Sequence, residues 1–220
     1  MVQILVLAAV ALFLFWRLRS VLGSRQGFEK NTVSTEDIKV NKKENKVDSN
    51  VIELKANEVN EEIADYVEIN SPAFDALSEM KEVEKGWLVS HFVSGAKMAY
   101  EQILMAFEKG DLQTIKKMTS DEVCESFKTV IDERNKEQET LIIDLKSIQK
   151  NEILSSKITK TTFSITVGYE SLQVKALLDK NDELIDGDID KEILVKDAWV
   201  FQRKIKNDNP NWTLVETKSN

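Results

Sequence analysis

The chain has 220 residues, 42% of them apolar, with 30 Lys and Arg against 38 Asp and Glu for a formal net charge of −8. Those numbers allow one domain of ordinary size and argue against a nucleic-acid partner, which a basic surface would serve. Cys124 and His91 are each the sole residue of their kind, so a disulfide framework, a Cys-rich metal site and a His-based metal cluster are all excluded within the chain.

The N-terminus reads MVQILVLAAVALFLFWRLRS, an uncharged apolar run from Val2 to Trp16 followed by Arg17 and Arg19. A secretory signal carries its charge before the run and its small-residue cleavage site after it. Here the order is reversed, and Ala9-Val10-Ala11 lies inside the run. About 15 apolar residues at 1.5 Å each span only ~22 Å of a ~30 Å hydrocarbon layer. Leu18, Val21 and Leu22 extend the apolar surface, Trp16 sits where an interfacial aromatic belongs, and the arginine stems can snorkel. Residues 1–22 are therefore expected to form a short transmembrane anchor. Arg17, Arg19, Arg25 and Lys30 face Glu29 alone in residues 1–30, a net of +3 that leaves −11 for the remainder. Positive charge stays inside, so the C-terminal part is expected on the cytoplasmic side, with Arg17, Arg19 and Arg25 as candidate sites for anionic lipid headgroups.

From Glu29 to about Glu62 the sequence holds no aromatic residue and is rich in Lys, Glu and Asn. It reads as a flexible charged tether, assigned to residues 23–70. Order is expected from Ser71, a helix N-cap followed by Pro72 in the first turn, with Phe74, Leu77 and Met80 on the apolar face. After Gly86 a longer helix starts near Trp87, with a stripe through Leu88, Phe92, Ala96, Ala99, Ile103 and Phe107. Gly110 closes it, Asp111 caps a short helix through Lys117, and Thr119 with Glu122 makes a capping-box pattern for a helix ending near Glu139.

The apolar period then changes from near four to two. Strands are expected at Leu141–Leu154, in the stretch TKTTFSITVGYESLQVKALL, at Ile193–Ile205 and at Trp212–Glu216. Within the second, Phe163, Ile165, Val167 and Tyr169 are odd-numbered, whereas Leu172, Val174, Ala176 and Leu178 are even. That parity flip predicts a β-bulge near Glu170-Ser171. Helices followed by a bent antiparallel sheet make an α+β domain, residues 71–220, whose curved sheet encloses a hollow.

The blocks FVSGAKMAYEQILMAFEKGDLQTIKKM, FSITVGYES and DAWVFQRKIKNDNPNWTLVET resemble the Tim44-like domain family, that is, the scaffold subunit of the mitochondrial inner-membrane import motor and its α-proteobacterial TimA-type adaptor relatives. The stretch FWRLRSVLGSRQGFE is similar to the anchor-proximal part of the bacterial members. The resemblance implies a cone-shaped fold like nuclear transport factor 2, attached to an inner membrane, acting as an adaptor for a chaperone or membrane protein and for phospholipid. The absence of an Arg-rich amphipathic transit peptide favours a bacterial inner membrane, a single pass and a cytoplasmic domain, or the matrix side in a mitochondrion.

Features that point to chemistry are weaker. In DKNDELIDGDIDKE, Leu184 and Ile193 occupy positions where a calcium loop needs oxygen ligands, so the segment reads as a solvated turn. His91 is expected to be partly buried and hydrogen-bonded, and Cys124 to pack as a small hydrophobe. Trp87, Phe92, Tyr100, Phe107, Trp199, Phe201 and Trp212 are expected to be core first, and Phe92, Tyr100, Phe107, Trp199 and Phe201 are the candidate lining of an apolar groove for an acyl chain or partner helix where the cone does not close. The expected function is a non-enzymatic, cofactor-free adaptor. Its rival is an isomerase or dehydratase using His91, Tyr100 and Asp197 in an apolar pocket.

Overall fold

The computed structural model describes residues 61–205 and 209–219. The expected anchor, most of the tether and Arg17, Arg19 and Arg25 lie outside these residues. Among the described residues no helix is long and apolar enough to cross a membrane.

Among the described residues, after the helical residues 61–64, helices α1 (Pro72–Val83), α2 (Val89–Lys109), α3 (Leu112–Met118) and α4 (Asp121–Glu137) precede strands β1 (Thr140–Ile158), β2 (Thr162–Leu178), β3 (Leu184–Lys204) and β4 (Thr213–Ser219). The caps show why the helices start where they do. Ser71 accepts a hydrogen bond from the Phe74 backbone at 3.1 Å, and Asp111 does the same for Thr114 at 3.1 Å. Gly110 ends α2 in the left-handed conformation that glycine adopts without cost. The α4 cap is Ser120, which accepts from Val123 N at 3.3 Å, one residue later than the expected Thr119. Thr119 is buried and turns its hydroxyl to Ile115 O at 2.9 Å, while it bridges to Leu214 of β4. Tertiary pairing to β4 decides the choice between two competent caps.

The strands form an antiparallel meander in the order β1-β2-β3-β4. Its bend comes from β1, where the register shifts between Leu145 and Ser147, between Ile148 and Lys150, and between Ile153 and Ser155. Each extra residue tightens the local twist, so three in one strand curl the sheet around the helices. The bulge expected in β2 is absent there: β2 pairs with β3 in unbroken register from Thr162 to Val174. The irregularity sits instead on β1, where Gln149 is the additional residue opposite Ser171 and Glu170.

Helices α1 and α2 pack on β1, and the core fills the concave side with Leu77, Met80, Phe92, Tyr100, Ile103, Phe163, Ile165, Val167, Trp199 and Leu214. An aromatic column runs through it: Trp87 to Trp212, Trp212 to Phe92 at 4.5 Å between ring centres, Phe92 to Phe201, Phe201 to Trp199, and Trp199 to Tyr100 at 4.7 Å. Arg203, paired with Glu84, lies over the Phe163 and Trp212 rings at 5.6 and 5.3 Å.

The domain starts earlier than Ser71. Ile63 is wholly buried in the core and Tyr66 and Val67 pack against it, so residues 61–70 belong to the domain and not to the tether. Composition misled because a short apolar set, Ile63, Tyr66 and Val67, and the partners of one carboxylate hold this segment. Glu62 receives the Lys81 ammonium together with the Ser90 backbone N–H at 3.2 Å and hydroxyl at 3.1 Å. Burial pushes the Glu62 carboxyl up, but these partners outweigh it and hold its pKa below the ordinary value of 4.5.

Two outcomes follow. Ile63→Ala lowers the unfolding free energy by about 2–4 kcal/mol in urea denaturation. A carboxyl with a depressed folded pKa contributes stability above its unfolded pKa and loses it as pH falls through the folded one. Wild type therefore loses stability on acidification below about pH 4.5, and Glu62→Gln, which costs roughly 1 kcal/mol at neutral pH, loses less over that interval. Thermal melts against pH measure both.

Candidate functional site

The candidate site is built on α2, β2 and β3. The inward residues of β2 are the odd ones throughout: Phe163, Ile165, Val167 and Tyr169 are followed at the same parity by Ser171 and Gln173, both wholly buried. Half-buried Lys175 comes next at that parity. On β3, Asp197 pairs with Tyr169 and Trp199 with Val167, which puts them on the same face. Polar residues thus take over the concave surface just where the apolar positions of the sequence change parity.

Tyr100 reaches this patch from the middle of α2. Its hydroxyl donates to Asp197 Oδ2 at 2.7 Å. With its single proton committed, the oxygen accepts from Gln173 Nε2 at 3.0 Å and from the Ser171 hydroxyl at 2.9 Å. Gln173 Nε2 also donates to Ser171 Oγ at 2.6 Å. Tyr169 stacks on the Tyr100 ring at 4.2 Å, and its own hydroxyl donates to the Ala96 carbonyl at 2.9 Å. Gln173 Oε1 has no partner among the described residues.

The electrostatics hold the protons in place. Burial, reinforced by the neighbouring Asp197, pushes the Tyr100 phenol far above its ordinary value, and burial does the same for Tyr169. Burial also pushes the Lys175 ammonium down, with Asp197 opposing in part. At neutral pH Tyr100 is a fixed hydrogen-bond donor and not a proton carrier.

The expected site residues divide. Phe92, Tyr100, Trp199 and Phe201 come together, but at 0–4% exposure they fill the core instead of lining an open groove. Their ring contacts with one another explain why: each covers the next. Phe107 is elsewhere, against Phe127 at 5.1 Å and beneath the Arg134 guanidinium at 5.4 Å. There Arg134 Nη2 donates to the Phe107 and Glu108 carbonyls and closes the C-terminal end of α2. Of the three residues proposed for chemistry, Tyr100 and Asp197 are in contact, whereas His91 is exposed on α2 and not partly buried as expected. Cys124 is half-buried against the small cluster of Ala106, Ile115 and Ile131. Ser171, Gln173 and Lys175 were missed; the signal that marks them is three polar residues at odd positions continuing a run of odd-numbered core residues. Among the described residues no group of His, Cys, Asp and Glu side chains is placed to hold a metal ion. A shallow surface cleft of about 450 Å³ lies elsewhere, between Tyr66–Ala73 and Glu152–Ser156 of β1.

Helices covering the concave face of a bent antiparallel meander, with a polar cluster at the core, define an α+β domain with an internal hydroxyl–carboxylate network. The chain matches the Tim44-like domain family over residues 74–219 and belongs to that family. No curated protein matches the sequence. Among solved structures, the chain is similar to the intermembrane-space region of the chloroplast protein ARC6, with 8% identity, 58% of this chain and 95% of that one covered, and a TM-score of 0.41. It is also similar to a nuclear transport factor 2-like protein from Salmonella enterica serovar Typhimurium (11% identity, 60% and 91% covered, TM-score 0.36). A third is a candidate dehydratase of the same superfamily from Streptomyces avermitilis (18% identity, 58% and 94% covered, TM-score 0.34).

Removing the Tyr100 hydroxyl leaves Asp197, Ser171 and Gln173 without their common partner, so Tyr100→Phe is expected to cost about 2–3 kcal/mol. Ser171→Ala, which removes one of the three partners of that hydroxyl, costs about 1 kcal/mol. Chemical denaturation of the two variants checks the ranking.

Proposed function

We propose that this protein is an adaptor: its Tim44-like domain, carried on an N-terminal membrane anchor by a charged tether, binds a partner protein, phospholipid or both at a bacterial inner membrane. Membership of the Tim44-like family over residues 74–219 carries this reading. Support comes also from the sequence, in which the apolar run Val2–Trp16 is followed by the basic residues Arg17, Arg19 and Arg25. On this reading the anchor supplies location, the tether supplies reach, the arginines hold anionic headgroups, and the domain faces the cytoplasm. A role in protein transport or membrane-protein assembly follows if the partner is a chaperone or a membrane protein.

One observation favours a second reading, an isomerase or dehydratase: the Tyr100 hydroxyl lies 2.7 Å from the Asp197 carboxylate. Against it stands the state of the phenol. Tyr100 is at 0% exposure while Asp197 is partly exposed, and a phenol held so firmly in its protonated form is a poor acid or base at neutral pH.

The interior position of Tyr100 dictates where a probe belongs. Photoreactive residues at exposed Met98 of α2, Leu154 of β1 and Leu194 of β3 are to be crosslinked in native membranes, with mass spectrometry of every adduct. A specific protein adduct from at least one position is the expected result, and phospholipid alone or nothing from all three contradicts partner recruitment. Deletion of residues 1–22 is expected to release the domain from the membrane pellet. The enzyme reading is separated by Asp197→Asn: loss of function with unchanged thermal stability and unchanged crosslinks supports catalysis, whereas loss that tracks stability supports the adaptor.

A further inference from the structure

Strand β3 is much longer than the strand that covers it. Strand β4 pairs only with Asp197 to Gln202, so from Leu184 to Lys196 the edge of β3 opposite β2 has no strand beside it among the described residues. Within that stretch Ile193, Leu194 and Val195 are consecutive, with Leu194 47% exposed and its neighbours half-buried. Leu184, Ile185 and Ile189 are also about half exposed. A free edge with an apolar run offers unpaired backbone donors and acceptors, and proteins ordinarily guard such an edge against association.

The guard here has one sign. Residues 179–192 carry seven carboxylates, Asp179, Asp182, Glu183, Asp186, Asp188, Asp190 and Glu192, against Lys180 and Lys191, a net of −5. Two copies of the chain meeting through this edge would oppose −5 to −5. The same charge attracts a basic segment, and it repels an anionic bilayer. Gly187 shapes the arm: at φ +81° its Cα faces Ala176, and a Cβ there would lie 2.2 Å from the Lys175 carbonyl oxygen. Between Glu192 and Asp188 the register of β3 shifts against Val174 and Lys175, so the regular part of the free edge is Glu192–Lys196, in line with β4.

We propose that the free edge of β3 at Glu192–Lys196 is a docking site for an extended basic segment of a partner protein, which adds as a strand beyond β4 and sets its Lys or Arg side chains against the acidic arm. The incoming strand runs antiparallel to β3, with its apolar residues beside Ile193 and Val195 on one face and its basic residues on the face of Glu192 and Leu194. This deepens the adaptor reading and rests on it, since it names the chemistry of the partner.

The test is fluorescence anisotropy of the full chain with a labelled ten-residue peptide of alternating valine and lysine. Controls are the same peptide N-methylated at alternate residues and its valine–glutamate counterpart. Expected are saturable binding of the basic peptide, loss of binding on N-methylation, and no binding of the acidic one. Affinity should fall about tenfold or more in the Asp186→Asn, Asp188→Asn, Asp190→Asn, Glu192→Gln quadruple variant. Asp188, Asp190 and Glu192 are exposed and Asp186 is half-buried, and Leu194→Lys supplies a second surface variant that abolishes binding whether or not the quadruple variant folds normally. Equal binding of the N-methylated peptide, unchanged affinity in both variants, or no binding at all overturns the proposal. So does a dimer in sedimentation that Leu194→Lys dissolves, which assigns the edge to a second copy, or binding to anionic vesicles that Leu194→Lys abolishes. Protein crosslinks from Met98 or Leu154 that persist when the peptide fails leave the adaptor reading standing and remove only this surface.

Discussion

The hydroxyl group of Tyr100 is the point on which the two layers of the domain are registered. Apolar contacts between α2 and the sheet are non-directional; they favour burial without fixing how far the helix slides along the strands. A phenol bound at once to Asp197 on β3 and to Ser171 and Gln173 on β2 admits one position. Tyr169 adds a second fixed point by bonding back to the Ala96 carbonyl one helical turn away. Because Tyr100, Tyr169, Ser171 and Gln173 sit in a low-dielectric interior, with Asp197 at its partly exposed rim, an unmade bond there is costly, and the arrangement is held as a unit.

That network also explains where the sequence was legible and where it was not. Helix ends were readable, since Ser71, Pro72, Gly110 and Asp111 act locally and no tertiary contact competes with them. The change from helical to strand period was readable too, and with it the α+β architecture. Ile63 was not, because its i, i+3, i+4 set with Tyr66 and Val67 spans barely one turn at the end of a long charged segment. The parity flip in β2 carried real information under the wrong interpretation. Two explanations predict polar residues at odd positions, a bulge or a polar interior, and the pattern of one strand cannot separate them. The deciding fact, Tyr100, lies 71 residues away from Ser171 and on another element. Four of the five aromatic residues assigned to a groove were rightly placed in one cluster. Their closure over one another depends on the curl that β1 imposes, and bulges in β1 leave no clear mark in its sequence.

A sealed, hydrogen-bonded interior and a varied exterior divide the labour of the domain. The interior network serves to hold the shape, and the surfaces left for partners are peripheral: the outer side of α2 with Met98 and Met105, the cleft beside β1, and the acidic arm of β2 and β3. Glu62 and Lys81 tie the N-terminal entry of the domain to α1, so whatever precedes residue 61 is delivered to a fixed place on the fold. On the proposed adaptor reading this is the property that matters, because a tether would transmit position only through a rigid attachment point.

Proton NMR of the Tyr100 hydroxyl tests the registration by this one group most directly. The account predicts a resolved, slowly exchanging hydroxyl resonance with cross-peaks to the Gln173 side-chain amide and the Tyr169 ring, absent in Tyr100→Phe. A hydroxyl proton that exchanges with water too fast to observe, while the surrounding amides stay protected, contradicts a sealed network and reopens the interior as a working pocket.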